Sequence, residues 1–72
     1  MTTTNFKLLD TVALTKDVPE KGLLKGQVGA IVEQWDEGVF EVEFTDKKGK
    51  ESTFFVAKVE DLMLLRFELS AA

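Results

Sequence analysis

The chain has neither cysteine nor histidine among its 72 residues. The first absence excludes a disulfide framework and any thiolate metal site. The second removes the commonest general base and the commonest transition-metal ligand. Proline occurs once, at Pro19. No apolar run approaches the roughly 20 residues that a membrane-spanning helix needs. Met1-Thr2-Thr3-Thr4-Asn5 has neither the basic start nor the apolar core of a signal peptide, so a cytoplasmic protein with no membrane role is expected. The glycines Gly22, Gly26 and Gly29 form neither GxGxxG nor a Walker motif, and no acidic run has EF-hand spacing. With no visible nucleophile–base pair either, no catalytic, metal-binding or cofactor-binding residue is expected, and the protein is read as a non-enzyme.

What the chain does have is a hydrophobic fraction of 44%, enough for a globular core and too high for a disordered chain. Its length fits one domain, which we place at residues 6–67 between a disordered segment at 1–5 and a flexible tail at 68–72. A domain this small buries only about 60% of its unfolded surface, so its packing must be good or shared with a partner. Net charge is −4, with a pI near 4.7. Such a chain is repelled by phosphate backbones and anionic lipid, and it suits a basic protein partner as well as ordinary solubility.

The chain is organised around Lys25 to Phe44, which reads as two strands and a tight turn. Val28, Ile31 and Val32 are β-branched and suit a pleated surface. Asp36-Glu37-Gly38 offers the turn, with Gly38 free to take positive φ. Phe40, Val42 and Phe44 then alternate with Val39, Glu41 and Glu43, the period of a half-buried strand. A one-residue slip would bury both glutamates, so the register is strongly specified. Gly29, inside the first of these strands, marks a bend, a bulge or a close backbone approach.

Around that hairpin, Phe6 to Leu9 is expected to form a short turn that lays Phe6 and Leu9 over the core. Thr11 to Thr15 is a first strand, with Val12 and Leu14 on one face. Lys16 to Lys25 is a loop of about ten residues, long for a hairpin and therefore a first candidate for a contact surface. Thr45 to Lys50 is a charged second turn. Glu51 to Ala57 is a fourth strand with apolar groups on both faces, Phe54 and Val56 on one and Phe55 and Ala57 on the other; Phe55 is expected to be covered by a terminus or a partner. Lys58 to Asp61 reads as a 3₁₀ turn, and Leu62 to Leu65 as a last strand that pairs with the first. A helix over Val59 to Leu69 is the rival reading, because Leu, Met, Glu and Arg favour helix. The apolar excess of Leu62 to Phe67 serves either a return across the barrel or a dimer or partner surface. Together these elements predict an all-β fold, a small five-stranded SH3-like barrel with a short 3₁₀ turn before its last strand.

Three runs resemble a known family: Phe6 to Leu14, Pro19 to Leu23, and Lys25-Gly26-Gln27-Val28-Gly29-Ala30-Ile31-Val32-Glu33. Phe40 to Phe44 and Val59 to Leu62 are similar to it as well. The family is a bacterial domain of unknown function, DUF4926, and the resemblance extends over residues 6 to 65. It implies an SH3-like barrel, and it implies no established activity. The glycine-framed strand from Lys25 to Val32 also resembles the KOW element of ribosomal and transcription proteins, although Asp17 and Glu20 interleave with Lys16, Lys21 and Lys25 where a KOW-like reader needs a clear basic patch.

Seven residues make up the expected partner-binding set: Lys16, Lys21 and Lys25 in the first loop, and Glu33, Trp35, Asp36 and Glu37 at the central turn. Trp35 is either an exposed anchor of the kind enriched in binding hot spots or a cap on one end of the barrel. The acids Glu33, Asp36, Glu37, Glu41 and Glu43 are either a patch that steers a basic partner or a solvated outer face. The function expected is a non-catalytic protein-binding module, in one version a small acidic neutraliser, antitoxin-like or immunity-like, of a basic toxin or nuclease. A homodimer is a further expectation. The alternative is a KOW-like, nucleic-acid-associated module using the three lysines.

Overall fold

The computed structural model describes residues 6–45 and 49–65. Five antiparallel strands are present: β1 (Thr11–Leu14), β2 (Val28–Asp36), β3 (Val39–Thr45), β4 (Ser52–Lys58) and β5 (Leu62–Leu64). Short 3₁₀ turns occupy Pro19–Lys21, within the β1–β2 loop, and Val59–Asp61, between β4 and β5. The sheet order is β4-β3-β2-β1-β5, so the chain meanders through four strands and then returns to set β5 beside β1. A single sheet that buries a single core on one face must curl around it. All five strands contribute: Val12 and Leu14, Ile31, Phe40, Val42 and Phe44, Ala57, and Leu62. This is the SH3-like barrel expected from the strand pattern.

β3 has the alternation read from its sequence, with Phe40, Val42 and Phe44 buried. Gly29, opposite Phe44, shows why glycine is needed in β2. A Cβ there would sit 2.7 Å from the Glu43 carbonyl oxygen, so the requirement is a close backbone approach. Gly38, at φ 72°, makes the two-residue turn between β2 and β3. The long first loop is folded onto the core. Val18 and Leu23 exchange backbone hydrogen bonds of 2.9 and 3.1 Å across the Pro19 turn, and both are buried.

Two expectations about faces are corrected. Leu9 does not cover the core; it is 81% exposed. Its φ of 74° and its N–H bond to the Ile31 carbonyl, 2.8 Å, make a corner that turns the side chain outward. Phe6 does pack on the core, its ring 5.9 Å from that of Phe40. In β4 the faces are the reverse of the arrangement that left Phe55 outside. Val42 pairs with Phe55 and Phe40 with Ala57, so Phe55 and Ala57 inherit the inward face of β3. Phe54 and Val56 lie outside, 48% and 49% exposed. The helical alternative is overturned for residues 59–65, where a 3₁₀ turn leads into a strand. Its remainder, the tail with Arg66 and Phe67, residues 46–48 of the second turn, and the segments at 1–5 and 68–72 lie outside the described residues.

Candidate functional site

β2 carries two irregularities, and they build the site. Its ladder with β3 runs from Ile31↔Val42 to Glu33↔Glu41, then from Gln34↔Phe40 to Asp36↔Val39. Val32 and Trp35 are therefore extra residues with no partner directly across. A bulge re-aims the side chain it inserts. At Trp35 the result is an indole that is 63% exposed and yet anchored, since Nε1–H donates to Glu41 Oε1 at 2.9 Å. Below it the turn is held by local bonds. Asp36 Oδ1 accepts the Glu37 N–H at 2.7 Å, and Gln34 Nε2 donates to the Asp36 carbonyl at 3.2 Å.

The same register sets Glu33 directly across from Glu41. Like charges in that position oppose each other. Glu43 follows on the same outer face, beside Phe54 of β4. The outer surface of β2, β3 and β4 thus presents carboxylates with an aromatic plane at one end and an apolar strand along one side.

The seven residues singled out from the sequence do not form one patch. Glu33, Trp35, Asp36 and Glu37 do gather at the β2–β3 turn. Lys16 lies near that turn through intermediaries: its Nζ is 3.3 Å from Asp61 Oδ2, in the 3₁₀ turn whose Val59 N–H donates to the Gly38 carbonyl at 3.0 Å. Lys21 and Lys25 belong to the opposite end of β2. Lys25 lines a shallow depression with Gly22, Val28 and Thr45, and its N–H donates to Asp17 Oδ1 at 2.7 Å. Eight residue steps along β2 separate Val28 from Asp36, about 25 Å of chain.

The sequence groups Glu41 with the outer-face acids and carries no sign of its bond to Trp35. A two-residue turn at Glu37-Gly38 sets Asp36 against Val39 and brings Glu41 near residues 33 to 35. The bulge that completes the geometry has no local sequence signature. Among the described residues no three acidic groups converge as they would around a metal ion, and no helix is long and apolar enough to cross a membrane.

The family model described as a domain of unknown function (DUF4926) matches residues 8–64. No curated protein and no solved structure matches the chain.

Proposed function

The chain belongs to the family DUF4926, whose name carries no activity over to it, and we propose from its surface that it is a non-catalytic module that binds a basic segment of another protein. One observation carries the reading: Trp35 is exposed, re-aimed by a bulge and fixed through its indole N–H to Glu41. An aromatic plane already held in place loses little freedom when a partner docks. Tryptophan is also the residue type most enriched in binding hot spots. A lysine or arginine laid over that plane gains a cation–π attraction, and its charge meets Glu33 and Glu41. A cation beside those two carboxylates relieves the repulsion across the ladder. The net charge of −4 steers a basic partner toward the surface. A small acidic neutraliser of a basic toxin or nuclease is one specific form of such a module.

The KOW-like reading has less support. Lys16 is engaged by Asp61, the Asp17 carboxylate is held at the Lys25 backbone N–H, and Lys21 and Lys25 lie at the other end of β2, so the lysines do not add up to a clear basic patch.

Affinity capture from a cell extract tests the proposal, with washes at about 0.1 M and then about 0.5 M salt. The natural chain is compared with Trp35→Ala and with Glu41→Gln. Glutamine still accepts the indole N–H bond, so that variant removes charge and leaves the anchor. The natural chain should hold a stoichiometric basic protein at low salt and release it at high salt. Trp35→Ala should lose it and Glu41→Gln should weaken it. Unchanged capture by Trp35→Ala would remove Trp35 from the site, and nucleic acid recovered without protein would replace the reading with the KOW-like one.

A further inference from the structure

Backbone geometry gives β4 a second property, independent of Trp35. The Ile31 N–H donates to the Asp10 carbonyl at 2.9 Å, and the Ile31 carbonyl accepts from Leu9 N–H at 2.8 Å. The backbone groups of Ile31 therefore point toward β1 and away from β3. Along an antiparallel strand, successive residues direct their N–H and C=O to opposite sides. Val42, opposite Ile31, then points toward β4 and exchanges both bonds with Phe55. The next alternation leaves Ser52, Phe54, Val56 and Lys58 with N–H and C=O directed away from β3. Among the described residues β4 pairs with β3 alone and ends the sheet order.

Edge strands are ordinarily guarded against pairing by proline, an inward charge, a bulge or short length. β4 shows none of these. It is seven residues long, its register with β3 is unbroken from Ser52 to Lys58, and its one charge is at its end. Phe54 and Val56, the residues whose backbone groups face outward, are also the ones whose side chains are exposed. β5, the other edge, is three residues long.

We propose that two copies of this chain pair β4 to β4 about a two-fold axis, making one continuous ten-stranded sheet. The strand is complementary to itself in the antiparallel register centred on Phe55. Phe54 then lies beside Val56 of the second copy, and Val56 beside its Phe54, so four exposed apolar side chains cover one another. Lys58 meets Ser52 of the second copy, and no like charges face each other across the seam. A register shifted to set Phe54 against Phe54 would bring Lys58 opposite Lys50. The favoured register supplies about eight backbone hydrogen bonds, two for each outward-facing pair. The contact is isologous and therefore closes at two copies, whereas pairing of β4 with the short β5 edge is heterologous and leaves one edge of each kind free in a pair.

The test uses the chain alone, so its failure leaves the Trp35 reading standing. Sedimentation equilibrium from micromolar to millimolar concentration should show passage from 8.1 kDa to twice that mass. Val56→Lys should abolish the dimer. Val56→Pro should do the same, because it removes an N–H that faces the seam and takes no part in the β3 ladder. Circular dichroism establishes that each variant is folded. Amide exchange supplies a second readout: the Phe54 and Val56 N–H groups should become protected as concentration rises, by at least about tenfold if the dimer predominates. A natural chain that stays at single-chain mass overturns the proposal. So do a dimer that persists in folded Val56→Lys, species that grow beyond two copies, or Phe54 and Val56 amides that exchange freely within the dimer.

Discussion

β3 and β4 are neighbours of equal length, seven residues each, and both alternate cleanly between two faces. Their inward faces match, with Phe40, Val42 and Phe44 against Ala57, Phe55 and Thr53. Their outward faces do not. β3 carries the half-buried Glu41 and Glu43 on that face, while β4 exposes Phe54 and Val56. The central strand, whose backbone is fully engaged on both sides, carries the charge. The edge strand, whose backbone has one side to spare, carries the apolar surface. If solubility alone shaped the outer face, the distribution would run the other way, because an edge is where charge does most to prevent pairing. The pattern fits a molecule that meets charge at its centre and another strand at its border.

The largest effect that would test this contrast is loss of the inward face. Phe40→Ala removes a fully buried ring that also stacks on Phe6. It should cost about 3–5 kcal/mol, enough to unfold much of a marginal domain, measured as a fall in the urea midpoint. A smaller and more diagnostic comparison lies within β4. Phe55→Ala should destabilise the monomer by about 2 kcal/mol or more, whereas Phe54→Ala, measured at a concentration where single chains prevail, should stay within about 0.5 kcal/mol. Equal costs for the two would mean that the faces of β4 are not distinguished as described. The smallest effect is expected at Glu33→Gln. Removing one of two facing carboxylates should stabilise the fold by a few tenths of a kcal/mol, up to about 1, read as a small rise in the thermal midpoint at low salt. The same change should weaken capture of a basic partner, so stability and binding move in opposite directions.

Much of the fold was legible because period two is a local signal. Phe40 to Phe44 alternates too sharply to be read otherwise, and Gly38 marks its turn. The faces of β4 were not legible for a definite reason. Alternation separates Phe54 and Val56 from Phe55 and Ala57, but it does not say which set points inward when both are apolar. That is decided by pairing register across the second turn, and a glycine-containing charged turn is compatible with more than one register. The outward turn of Leu9 is hidden for a related reason: a φ of 74° at a leucine is not something its identity suggests. Of the candidate site, the cluster at the central turn was visible as composition. The bulge that aims Trp35, and the distance separating it from Lys21 and Lys25, belong to register and topology.

The pairing of β1 with β5 joins Val12 to Leu64, so residues near the two ends of the sequence complete one ladder. This bears on how the protein is made. On a chain emerging from the ribosome, β2, β3 and β4 can assemble in order as they appear, since each pairs with its sequence neighbour. β1 must wait with one side unpaired until Leu62 to Leu64 have been synthesised and released. The barrel therefore matures in two stages, with the β1–β5 ladder closing last. For the same reason Thr11 and Leu65, near the two ends of the described residues, lie side by side, the Leu65 N–H bonding the Thr11 carbonyl at 2.9 Å, a geometry that suits moving the opening of the barrel to a loop such as the one after Leu14.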